Sequence, residues 1–144
     1  MDRPGATDEI GFLLQLAHRR LRLAHNEALR PLELNIALLA VRGLLAERGD
    51  LSQRQLIELM EADKSTMVYL IDELERQRLL ERRADPSDRR AHAVHLTEAG
   101  RKRLAVAGQR AAEVEGQFLA PLTARERKIF KTLLGKVADR RDEP

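Results

Sequence analysis

Apolar residues recur at threes and fours through most of this chain, and each such stretch predicts a helix. Over residues 8–28, Ile10, Leu13, Leu14, Ala17, Leu21, Ala24 and Ala28 fall on one helical face, with Phe12, Leu16 and Leu23 widening it. A helix that is apolar beyond a single stripe needs neighbours on more than one side. Arg30-Pro31 ends it, because the residue before a proline is pushed out of the helical region. Asn35 caps a second helix through Ile36, Leu39, Ala40, Leu44 and Leu45, which stops near Gly49. Ser52 with Gln55 forms a capping box for a short third helix. Asp63 caps a fourth, "KSTMVYLIDELERQ", whose Met67, Leu70, Ile71 and Leu74 keep helical spacing.

After Leu79-Leu80 the period changes. "LLERRA" and "AHAVHLT" flank the turn-forming "DPSDRR", predicting a two-stranded hairpin with a charged loop. Thr97 caps a fifth helix with Ala99, Leu104, Ala107, Gly108, Ala111 and Val114 on one side. Pro121 and the capping box from Thr123 to Glu126 open a sixth, whose Ile129, Phe130, Leu133, Leu134 and Val137 are expected to be buried. Two short helices joined by a tight turn and followed by a hairpin make a winged helix-turn-helix. The expected fold is therefore mainly α with a small β-hairpin wing. The long terminal helices lie outside that module, and two-fold pairing of chains would cover their surplus apolar surface. Residues 1–31 are expected to form an N-terminal dimerisation helix, 32–100 the winged helix-turn-helix lobe, and 101–144 the C-terminal dimerisation helices.

Composition narrows the chemistry. Aromatic residues make up only 3% of the 144, so the core must be built from Leu, Ala, Val and Ile. The chain has no cysteine, which removes disulfides, thiolate metal sites and thiol-based redox sensing. No apolar run approaches the roughly 20 residues that cross a bilayer. The opening "MDRPGATDEI" lacks the apolar region of a secretory signal, so the expected location is the cytoplasm, away from membranes.

Net charge is only +3, but its placement is uneven. From Arg78 to Arg103 there are eight basic residues (Arg78, Arg82, Arg83, Arg89, Arg90, Arg101, Lys102, Arg103) against Glu81, Asp85, Asp88 and Glu98, leaving that window at +4 and the remainder at −1. A local basic patch of this kind attracts a polyanion.

The fourth helix and the hairpin suggest which one. With Met67, Leu70, Ile71 and Leu74 inward, Ser65, Thr66, Val68, Tyr69 and Asp72 lie on or beside the outer face, and Lys64 stands at its start. The second helix of a helix-turn-helix enters the major groove with its N-terminal residues nearest the base edges. Hydroxyls on Ser65, Thr66 and Tyr69 can bond bases or phosphates there, and Val68 can touch a thymine methyl. Glu73 and Glu75 would repel DNA, but the helical wheel turns both toward the flanks. Arg89 and Arg90, on a narrow projection, suit the strongly negative minor groove. Asp88 is expected to brace Arg90 and hold its guanidinium extended. A solvated turn, with the arginines paired to Asp85 and Asp88, is the plainer alternative.

Residues 51–102, with the "DKST" entry to the fourth helix, the "DPSDRR" wing and the "LTEAG" restart, resemble the core of the MarR family of multiple-antibiotic-resistance-type regulators. The resemblance implies a homodimer, a pseudo-palindromic double-stranded DNA operator, and often release by a small anionic or aromatic effector. Carried over by motif, Lys64, Ser65, Thr66, Val68 and Tyr69 fall on the recognition helix and Arg89 and Arg90 in the wing. Val68 and Tyr69 stand where the family often has Thr and Arg, and Arg78 replaces the glycine usual after that helix.

Other chemistry finds less support. His18 and His25 are two turns apart, and His92 and His95 should point to opposite faces of a strand, so packing or surface roles are expected rather than a metal site. With no Gly-rich phosphate loop, nucleophile elbow or HExxH motif, neither an enzyme nor a bound cofactor is expected. The expected function is a ligand-releasable repressor. An architectural DNA-binding or protein-contact module is the alternative, separable by selective operator binding and effector release. No residue type names the effector, its pocket or the operator sequence.

Overall fold

The computed structural model describes residues 5–85 and 87–139, with the side chains of Ala6, Arg89 and Ala91 outside that description. Helix α1 spans Ile10–Leu29 and a 3-10 turn at Arg30–Leu32 absorbs Pro31. Helix α2 covers Ile36–Arg48, capped by Asn35, whose Oδ1 accepts from the Leu38 amide at 2.9 Å. Strand β1 is Leu51–Ser52, followed by α3 (Gln53–Met60) and α4 (Lys64–Arg76). Strands β2 (Leu80–Asp85) and β3 (Asp88–Leu96) make the hairpin, and α5 (Glu98–Phe118) and α6 (Ala124–Ala138) complete the order. All five predicted caps are made, with full capping boxes at Ser52 and Thr123.

The hairpin is part of a three-stranded antiparallel sheet in the order β1-β3-β2, where two strands were expected. Leu51 pairs with Val94, and Leu80 with Leu96. These four residues are buried and tie the sheet to Leu56, Met67, Leu70, Ile71 and Leu74 from α3 and α4. The core of the lobe is thus closed within one chain.

The terminal helices behave differently. On α1, only His25 and Leu29 are buried, while Ile10, Phe12, Leu13 and Leu14 are exposed. On α6, nothing is buried: Ile129, Phe130, Leu133, Leu134 and Val137 all face outward in the single chain. The expectation of burial there is corrected for the isolated chain. His25 is a packing residue, its Nε2 lying 3.2 Å from the Ala111 carbonyl on α5.

At the end of α4 the amide of Leu79 donates to Leu74 O and that of Arg78 to Glu75 O, both at 2.9 Å. This pairing closes a helix through a left-handed residue, normally glycine. Arg78 occupies that place at φ 59°, which costs a side-chain-bearing residue about 1 kcal/mol. Its carbonyl accepts from the Thr97 hydroxyl at 2.8 Å. Gly100 packs so closely on the Leu79 carbonyl that a Cβ there would overlap it. The restart of α5 is thereby seated on the end of α4.

Candidate nucleic-acid interface

The turn before α4 ends at Asp63, which fixes the first turn of the helix. Its Oδ1 accepts from the Thr66 amide at 2.7 Å and its Oδ2 from the Thr66 hydroxyl at 2.9 Å. These bonds, the amide first, hold the Asp63 carboxyl below its ordinary range. Thr66 therefore has its hydroxyl proton committed and offers an acceptor, not a donor, to anything that approaches. Lys64, Ser65 and Thr66 are exposed, Val68 is half-buried, and Tyr69 is 59% exposed. From Lys64 to Ile71 the helix carries no acidic residue.

The acids of α4 lie in its second half and are engaged. Glu73 accepts from Arg76 at 2.7 Å and from Gln77 at 3.0 Å, and the Arg76 bonds foremost lower its pKa to about 2. Asp72 and Glu75 both accept from one side chain, Arg82 of β2, at 2.6 Å each. These acids are not aimed as free charges at a ligand.

In the wing, Asp85 accepts from the amide and hydroxyl of Ser87 at 2.9 and 2.7 Å, which tightens the tip and lowers the Asp85 pKa. The register passes from Ala84↔His92 directly to Asp85↔Asp88, so residues 89–91 form a bulge on β3. The arginines accordingly lie just past the tip, in the bulge. Asp88 accepts from the backbone amide of Arg90 at 3.0 Å. The expected brace is corrected in kind: a carboxylate two residues upstream reaches the amide, as in an Asx turn, and holds the backbone rather than the guanidinium. Arg90 is exposed, and no carboxylate pairs with it among the described residues. The Arg89 backbone belongs to β3, and its side chain lies outside the described residues.

Sequence reasoning did not find Arg82 as a structural bridge, nor the contact between His95 Nδ1 and Asp50 Oδ1 at 2.7 Å. Both join residues from different elements, and no local pattern marks them. Among the described residues no cluster of His, Asp or Glu is placed to hold a metal. None of their helices is long and apolar enough to cross a membrane. A groove of about 730 Å³ separates α6 from α2 and α3, with Leu44 and Leu59 in its wall. Its charged rim, Arg48 against Glu58, Glu61 and Asp139, is net acidic and ill-suited to an anion.

A capped helix-turn-helix backed by a three-stranded wing, with a polar first half of the second helix that carries no acid after its Asp63 cap, defines the winged helix-turn-helix transcription regulators. A MarR-family model matches residues 39–91. Transcriptional regulator HosA of Escherichia coli O111:H- is 33% identical over 98 residues, spanning 68% of this chain and 73% of HosA. The chain belongs to the MarR family. HTH-type transcriptional repressor NicR of Pseudomonas putida is 29% identical over 134 residues, spanning 92% of this chain and 84% of NicR. The crystal structure of CouR from Rhodococcus jostii RHA1 bound to p-coumaroyl-CoA is similar at 30% identity and a TM-score of 0.85, over 99% of this chain and all of CouR.

Proposed function

We propose that this chain acts in the cytoplasm as a homodimeric repressor that binds a pseudo-palindromic operator and is released by a small-molecule effector. The observation that carries the reading is the entry to α4, where Lys64, Ser65, Thr66 and Tyr69 are exposed and no acid interrupts them. In this reading Ser65 and Tyr69 meet bases or phosphates in the major groove, Thr66 accepts from a base-edge amino group, Val68 meets a thymine methyl, and Lys64 a phosphate. Arg89 and Arg90 enter the adjacent minor groove, with Asp88 fixing the backbone between them and the tip. Residues 1–31 and 101–144 join two copies so that two recognition helices reach successive turns of the duplex. The exposed apolar faces of α1 and α6 support that role. Likeness to NicR, named a transcriptional repressor, and to CouR bound to p-coumaroyl-CoA supports the sign and the control.

The test is a gel-shift titration on DNA flanking the protein's own coding region, with unrelated competitor and a salt series. Competitor-resistant binding that weakens steeply with salt is expected. Arg90→Ala is expected to lose about 1–3 kcal/mol of binding free energy. An unchanged affinity at fixed salt would remove the wing from the interface. Weak binding that competitor abolishes would contradict operator recognition altogether.

A further inference from the structure

A two-groove reader needs its two reading elements held at a fixed separation, and the apolar core that α4 shares with Leu80, Val94 and Leu96 does so at the base of the wing. Strand β2 leaves α4 through Leu79 and returns alongside it. Leu80 and Arg82 share the face of β2 that, through pairing with Leu96 and Val94, looks into the core. Leu80 fills apolar space there. Two residues further out on β2, across from the buried Val94, Arg82 instead spreads its guanidinium across the last turn of α4. Its Nη1 donates to Glu75 and its Nη2 to Asp72, each at 2.6 Å. Asp72 and Glu75 are three residues apart and so neighbours on the helix surface. A planar fork can grip both carboxylates at once, whereas a lysine ammonium offers a point charge without that geometry.

We infer that Arg82 is a positioning residue for DNA recognition, acting by locking the wing to the recognition helix and by occupying two carboxylates. This rests on the reading given under Proposed function. The bridge differs from an ordinary surface ion pair, which contributes little. The Arg82 side chain is 33% exposed against 57% and 41% for Asp72 and Glu75, so its distinction lies not in burial but in contacting two acids at once and joining two different elements. Without it, Asp72 and Glu75 become free negative charges on the reading helix.

The chain has no cysteine, so nitroxide labels can be placed at Ser65→Cys and Ser87→Cys without background. Pulsed electron-spin measurement of the distance between them, with labelled chains diluted in unlabelled protein, requires no DNA. A narrow distribution is expected for the unaltered bridge and a broad one for Arg82→Ala. Arg82→Lys, which keeps the charge, should not restore the narrow form. If Arg82→Ala fails to fold, Asp72→Asn with Glu75→Gln removes the same bridge from the other side. An unchanged distribution in a folded variant overturns the inference.

A second arm uses a duplex enriched from a random library by the unaltered protein. Arg82→Ala should bind it about tenfold more weakly, with the salt dependence unchanged. A salt slope lower by about one would make Arg82 a phosphate ligand and overturn the positioning role. If no duplex is enriched, the operator reading falls, while the distance measurement still decides Arg82.

Discussion

The winged lobe and the terminal helices carry the same kind of amphipathic pattern, yet only one of them closes on itself. Met67, Leu56 and Leu74 are fully buried inside the lobe. On α6, also at helical spacing, Ile129, Leu133 and Val137 remain 49%, 54% and 75% exposed. Helix α1 divides between the two regimes: its C-terminal end packs on α5 through His25, and its N-terminal turns do not. An apolar stripe states that a helix face must be covered, but not by which chain. Burying each such side chain is worth about 1.5–3 kcal/mol, so a face left open across several turns has a strong drive to find a partner.

The contrast can be broken most severely where the two regions join. Gly100→Ala would force a methyl group into the Leu79 carbonyl, and a loss of about 3 kcal/mol in unfolding free energy is expected from such overpacking. Denaturant titration measures it, and a near-neutral change would mean that the seat of α5 on α4 is slack. Arg78→Gly should act in the opposite sense at the neighbouring residue. It relieves the left-handed conformation at φ 59° and should raise stability by about 0.5–1 kcal/mol. Its effect should appear in the lobe's unfolding and leave the association of chains alone.

The smallest effect concerns pH. Glu73 has a pKa lowered from 4.5 to about 2 in the folded chain, chiefly by its bonds from Arg76. A depressed carboxylate stabilises the fold above its unfolded pKa, and that stability is lost as pH falls through the folded value. The unfolding free energy should therefore decline between pH 4.5 and 2, and part of that decline should be absent in Glu73→Gln. Identical profiles for the two proteins would show that the Arg76 contact does not persist in solution.

What was legible in the sequence follows from how far each interaction reaches. Asn35, Ser52, Asp63, Thr97 and Thr123 mark helix starts because a cap is made within three or four residues. The inward face of α4 was equally plain from Met67, Leu70, Ile71 and Leu74. Strand β1 was hidden because two residues, Leu51 and Ser52, become a strand only by pairing with β3 some forty residues later. The bulge at 89–91 depends on register between two strands, so Arg89 and Arg90 were expected at the tip and lie beyond it. Arg82 resembled its basic neighbours until the fold brought Asp72 and Glu75 to it. Gly100 was visible as part of the "LTEAG" restart, but the close approach of Leu79 that requires it was not.

Sedimentation equilibrium of the full chain, alone and with the enriched duplex, tests the central claim most directly. Two chains per particle are expected in both cases, reduced to one by Phe130→Glu combined with Leu134→Glu while the lobe stays folded. A folded single chain that binds the duplex with full affinity would contradict the account, because the open faces of α1 and α6 would then serve no pairing of chains.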